Sequence, residues 1–218
     1  MFDTREQAGL LLAKELSGLP LLRPLVLAIP RGGIDVGLSI ARGLNAELDV
    51  VLARKLRCPT QPEFAIGAVN ETGDVFLDRF GAAAAALSDA EIERERQFQL
   101  GEIARRRQLY LSVRPKAEVA GRSVILTDDG IATGSTMIAA IRSVRAGRPH
   151  EIIVAVPVAA PQRATEIAQI CDRLVCLLQP EDFQAVGQFY RSFDQVSDER
   201  VVALFQASGS PHAAEADV

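Results

Sequence analysis

Little in this sequence points to a metal cage, secretion or a nucleic-acid surface. Only three cysteines occur in 218 residues, Cys58, Cys171 and Cys176. The count is odd and the spacings match no zinc pattern, so reduced thiols in a cytosolic protein are expected rather than a disulfide framework. Cys58 falls in a loop rich in Pro and polar residues, a setting that favours exposure. The stretch Met1–Glu6 has no basic segment leading into an apolar one, so no signal peptide is expected. Apolar runs are broken by Pro, Arg or Asp well short of the roughly 20 residues that a membrane helix requires. A formal net charge of -4 lacks the strongly basic face that nucleic acid selects. The two histidines, His150 and His212, have no partner pattern. The expected setting is cytoplasmic.

What is present is core. Hydrophobic residues make up 48% of the chain, enough for one domain over residues 1–206. Residues 207–218 are rich in Ala, with Ser and Pro, and are expected to form a disordered tail. Thr4 or Asp3 can cap a helix to about Leu16. Leu25–Ile29 is a continuous apolar run, as a strand buried on both faces requires. Pro30-Arg31-Gly32-Gly33 follows, then a helix over Ile34–Leu44. Further strands read at Leu48–Ala53, Ser123–Thr127, Ile152–Val156 and Leu174–Leu178, with helices at Ser135–Val144 and Pro161–Gln169 between them. Ala65–Val69 and Asp74–Leu77 read as a hairpin about Glu71-Thr72-Gly73. Gly81–Ala86 is a small-residue connector. Ser88-Asp89-Ala90-Glu91 has capping-box spacing and opens a polar helix to about Leu111, with Glu102 and Arg106 as an i,i+4 pair. That helix either forms a solvated cover or turns some of its arginines between Arg94 and Arg107 toward a ligand or partner. The strand–helix alternation predicts an α/β fold, a doubly wound, mainly parallel sheet flanked by helices. An inserted hairpin, a long helix and a small hood accompany it. Ligands in such a sheet bind beyond the carboxyl ends of the strands.

The segment richest in chemistry is Val124–Thr136. An apolar strand leads to two carboxylates, Asp128 and Asp129. The loop Gly130-Ile131-Ala132-Thr133-Gly134-Ser135-Thr136 then enters a helix. Free backbone N–H groups at a helix start attract phosphate. The glycines let the backbone wrap closely, and Thr133, Ser135 and Thr136 add hydroxyl donors. Paired carboxylates accept hydrogen bonds from neighbouring sugar hydroxyls. A phosphate at one end and a diol at the other describe a ribose 5-phosphate. The lysine and spacing of a Walker loop are missing, and so is a Gly-x-Gly-x-x-Gly turn.

This segment resembles the motif with which type I phosphoribosyltransferases bind 5-phosphoribosyl-1-pyrophosphate (PRPP). The resemblance implies that Asp128 and Asp129 contact the ribose hydroxyls and that Gly130–Thr136 cradle the 5-phosphate. Arg31-Gly32-Gly33 resembles the family's pyrophosphate loop. Arg54-Lys55 resembles the start of its mobile loop, whose basic residues reach the pyrophosphate. Lys55, Arg54, Asp128 and Asp129 are therefore the candidate catalytic residues. The likeness extends from the first helix to about Phe205 and includes Glu63–Val69 and Ala185–Tyr190. It is strongest to a group of bacterial family members that has no well-defined acceptor. The resemblance implies Mg²⁺ held mainly by PRPP rather than by a dedicated protein site, a small nitrogen acceptor, and a homodimer.

One position departs from part of the family. Members that salvage 6-oxopurines carry an aspartate where this chain has Ala132, which lowers the expectation of hypoxanthine or guanine as substrate. The acceptor hood is expected in 157–161 and 179–205. There Phe183, Phe189, Tyr190 and Phe193 either stack on a planar acceptor or fill the hood's own core. A non-catalytic PRPP- or nucleotide-sensing protein on the same fold is the alternative to an enzyme.

Overall fold

The computed structural model describes residues 1–59, 61–77, 87–112 and 115–207. Along the chain run helix α1 (Arg5–Leu16), strand β1 (Leu25–Ala28), helix α2 (Gly33–Leu44), and strands β2 (Glu47–Val50), β3 (Ala53–Cys58), β4 (Gln61–Asn70) and β5 (Val75–Leu77). Then follow helix α3 (Asp89–Leu111), β6 (Ser123–Thr127), α4 (Ser135–Ala146), β7 (Glu151–Val158), α5 (Pro161–Ala168), β8 (Arg173–Leu178), a 3-10 turn (Val186–Phe189) and α6 (Asp198–Ala207).

Five strands form a parallel sheet in the order β2-β1-β6-β7-β8. All residues of β1 and β6 are buried, as the uninterrupted apolar runs require when helices cover both faces. Side chains alternate between two cores. Val26 and Ala28 pack with Leu12 and Leu16 of α1 and Ile34 and Ile40 of α2. Leu25 and Leu27 pack with Ile138 and Ile141 of α4 and Ile167 of α5. Each fully buried Leu or Ile contributes about 1.5–3 kcal/mol through apolar burial. Helices α1 and α2 approach closely because residue 9 is Gly; a Cβ there would lie 2.6 Å from the Val36 carbonyl oxygen.

The strand order creates a switch point. From β1 the chain moves outward to β2, whereas from β6 it moves the other way to β7 and β8. The loops that leave β1 and β6 therefore diverge side by side, and the gap between them is where a ligand fits. The adjoining backbone is knit together by Ile29 N–H donating to the Thr127 carbonyl at 2.9 Å.

The remaining strands form an antiparallel sheet, β3-β4-β5. It lies against α4 on one side and α3 on the other. Helix α3 begins at the expected capping box, with the Ser88 hydroxyl accepting from Glu91 N–H and the Glu91 carboxylate accepting from Ser88 N–H. It buries Gln99, Ile103 and Tyr110. Glu102 pairs with Arg105 rather than with Arg106. Arg106 turns to Asp198 of α6, at 3.4 Å, because that carboxylate offers a less exposed partner.

Two further expectations are corrected. The apolar stretch Leu48–Ala53 is not one strand: β2 ends at Val50, and Ala53 already belongs to the second sheet. Cys58 is buried, at 1% exposure, because β3 continues through it. The connector Gly81–Ala86 and all of the expected tail beyond Ala207 lie outside the described residues. Among the described residues, no helix is long and apolar enough to cross a membrane.

Candidate functional site

Beyond the ends of β1 and β6 lies a cavity of about 170 Å³, lined by Lys55, Asp128, Asp129, the loop Gly130–Gly134, Thr136, Met137 and Val186. One end of it follows from local backbone geometry. Gly134 precedes α4 with φ of 78°, a left-handed conformation that Gly adopts without strain. The first helical bond runs from Ile138 N–H to the Gly134 carbonyl at 2.9 Å. The amides of Ser135, Thr136 and Met137 precede that bond, and no side chain caps the helix. Three N–H groups and the positive end of α4 together make a setting that favours an anion. Ile131 anchors the loop by donating to the Val158 carbonyl at 2.9 Å and accepting from Ala160 N–H at 3.0 Å.

The two aspartates close the opposite end. Asp128 accepts from Asp129 N–H at 2.8 Å. Burial pushes its carboxyl well above the usual carboxylate range, and the neighbouring Asp129 charge pushes the same way. Lys55 works against both. Asp129 is raised by burial too, with Arg5 opposing. Two close carboxylates in a shielded site are stabilised in their charged form by anything that donates to them, so the pair is poised to accept hydroxyl donors.

The Gly32-Gly33 turn packs directly onto these acids. A Cβ on Gly32 would lie 1.9 Å from Asp129 Oδ2, and one on Gly33 would lie 2.9 Å from the Asp128 Cα. The glycines therefore have a packing role beside the anion-loop role read from sequence. Arg31 precedes them, exposed, after a cis Pro30–Arg31 peptide.

The basic pair Arg54-Lys55 lies within β3 rather than at the start of a loop, so its two side chains point to opposite faces. Lys55 faces the cavity. Arg54 turns to α3, where its Nε donates to Gln99 Oε1 at 2.5 Å, and it does not line the cavity. Burial and the nearby Arg106 depress its guanidinium.

In the hood, Phe183 and Phe189 pair at 5.4 Å between centroids. Tyr190 packs between Phe2 and Phe193, at 5.5 and 5.1 Å. None of these rings lines the cavity; the hood reaches it through Val186, which sits over Gly130. Tyr190 donates its hydroxyl to the Asp129 carbonyl at 2.6 Å. Burial raises that phenol far above its ordinary range, with the Asp129 charge adding to the effect.

Sequence reading missed Arg5. Its Nε donates to Asp129 Oδ2 at 2.9 Å. Removing one partner of such a buried pair costs about 3–5 kcal/mol, because the other charge stays buried. No spacing signals it: a single arginine in a polar N-terminal stretch lies 124 positions from its carboxylate.

Comparisons with known proteins bear on this geometry. The profile of the phosphoribosyl transferase domain family matches residues 6–194. Proteins from two strains of Mycobacterium tuberculosis, provisionally named phosphoribosyl transferases, are 39% identical over 204 residues. That alignment takes in 94% of this chain and 46% of theirs, so the chain spans about half the length of these relatives. The crystal structure of TT1426 from Thermus thermophilus superposes with a TM-score of 0.81 at 42% identity, covering 96% of this chain and 99% of that one. The AQ2163 protein from Aquifex aeolicus shares the fold, with a TM-score of 0.50 at 14% identity over 79% of this chain and 73% of that one.

Proposed function

The chain belongs to the phosphoribosyl transferase domain family, and from that premise we propose that it is a Mg²⁺-dependent phosphoribosyltransferase. It would transfer the phosphoribosyl group of PRPP to a nucleobase or related nitrogen compound and release pyrophosphate. The observation that carries this reading is convergence. An uncapped helix start with the carboxylate pair that precedes it, a Gly-Gly turn and a lysine, drawn from three separate stretches of sequence, meet at one switch point.

In the proposed reaction the C1–O bond to pyrophosphate breaks as a C1–N bond forms. Positive charge develops on the ribose and negative charge on the leaving group. Asp128 and Asp129 hold the ribose hydroxyls, while the amides of Ser135, Thr136 and Met137 and the hydroxyls of Thr133, Ser135 and Thr136 hold the 5-phosphate. Lys55 and Arg31 offset charge on the leaving pyrophosphate. Arg54, bonded to Gln99, steadies the strand that carries Lys55. The acceptor's proton passes to pyrophosphate or water, since Ala132 supplies no base in this loop. Among the described residues no three His, Cys, Asp or Glu side chains converge as a metal site; the donors in the cleft suit a metal carried on the substrate. Mg²⁺ on the PRPP oxygens would supply further neutralisation of the leaving group.

One observation favours a second reading, PRPP binding without transfer. Phe183, Phe189 and Tyr190 pack on one another or on neighbouring rings rather than against the cleft, so among the described residues these hood rings provide no aromatic platform for an acceptor. PRPP and Mg²⁺ supplied without acceptor separate the two. Slow formation of ribose 5-phosphate is expected of a transferase, whereas saturable binding with PRPP left intact would favour the sensor.

A further inference from the structure

We infer that Arg5 is a positioning residue: it fixes the Asp129 carboxylate against the sugar site and makes recognition of the ribose hydroxyls depend on helix α1 and the hood. The inference rests on the reading of the cleft as a ribose 5-phosphate site. Arg5 is the first residue of α1, and its side chain is 10% exposed. Three contacts hold its guanidinium. Nε donates to Asp129 Oδ2 at 2.9 Å, one terminal nitrogen donates to the Asp194 carbonyl at 2.9 Å, and the cation lies 3.8 Å from the centroid of the Phe193 ring.

Asp129 is constrained from other directions as well. Tyr190 holds its carbonyl, and Gly32 leaves no room for Oδ2 to move toward α2. Residues 5, 32 and 190 thus converge on one aspartate. A buried ion pair is by itself weak support for stability; here its geometric effect is to take one carboxylate oxygen and leave the other to a hydroxyl. The planar fork of arginine meets all three partners at once, which a lysine ammonium cannot do. The family match covers residues 6–194, so Arg5 lies just outside it.

The test is calorimetric binding of ribose 5-phosphate and its 2-deoxy and 3-deoxy analogues to the full chain. One hydroxyl bonded to a charged carboxylate predicts a wild-type preference of about 10-fold over at least one analogue. Arg5→Met should reduce that preference to about 2-fold or less, while affinity for the deoxy analogue, held by its phosphate, changes by less than about 2-fold. Arg5→Lys should fall between. Phe193→Leu alters a ring that is 37% exposed and leaves the ion pair in place, so it should fold and weaken the preference by about 3-fold. A purely structural role would lower all affinities together and leave the ratio unchanged. An unchanged ratio in Arg5→Met overturns the inference; if that protein does not fold, an unchanged ratio in both Arg5→Lys and Phe193→Leu overturns it. Wild-type protein that binds none of the three sugar phosphates overturns the reading of the cleft, and the inference with it.

Discussion

Where β1 and β6 end, glycines, backbone amides and carboxylates are turned toward a cavity. In the segment Phe183–Phe193, by contrast, aromatic rings are turned toward one another. The first region is assembled from loops whose conformation the sheet dictates, so its polar groups converge on one cavity. The second is assembled from an irregular segment that has to make a small core of its own, so its rings serve packing first. On the proposed reading, the difference would separate donor recognition at the parallel sheet from acceptor choice in the hood, which among the described residues reaches the cavity through Val186. Arg5 and Tyr190 are the struts between the two, and both meet at Asp129.

The sharpest way to break this contrast is at the acids. Asp128→Ala combined with Asp129→Ala removes two charge-assisted acceptors and should weaken PRPP binding by about 10²–10⁴-fold, read by calorimetry with Mg²⁺ present. Gly32→Ala comes next. Its new methyl would have to displace Asp129 Oδ2 from 1.9 Å, an overpacking cost of about 1–3 kcal/mol, seen as a lower melting temperature together with at least about 10-fold weaker PRPP binding. Lys55→Ala should lower turnover more than PRPP affinity, by about 10-fold in kcat, because its charge matters most as pyrophosphate leaves.

A pH series sharpens the same end of the molecule. Burial and Asp129 raise the folded-state pKa of Asp128 above its unfolded value, so the ionised form costs stability at neutral pH. That cost is absent below the unfolded pKa, about 3.9, and grows as pH rises toward the folded pKa. Asp128→Asn should therefore melt above wild type at pH 7, with the gap closing near pH 4 in thermal scans. The smallest effect is expected in the hood. Phe183→Leu should change ribose 5-phosphate affinity by less than about 2-fold, since that ring touches Phe189 and not the cleft.

The parallel sheet was legible because its central strands, β1 and β6, are apolar runs buried on both faces and alternate with helical segments. The chain from Val50 to Ala53 was not. No Gly or Pro interrupts Val50-Val51-Leu52-Ala53, so the crossing from one sheet to the other leaves no local mark. That error carried forward to Arg54 and Lys55. Read as the start of a loop, they are strand neighbours, and strand alternation sends one to Gln99 and the other to the cavity. The partner of Asp129 was beyond reach because an ion pair across 124 positions depends on how α1 docks, which no local pattern encodes. Hood rings were ambiguous for a related reason: hydrophobicity says that a ring is buried, not by what.

The most direct test of the central claim is pyrophosphate release from PRPP and Mg²⁺ across a panel of purine, pyrimidine and related bases, with the Asp128→Ala/Asp129→Ala protein as control. Release with one class of acceptor, lost in the control, is the predicted result. Folded wild-type protein that neither releases pyrophosphate nor binds PRPP would contradict the account.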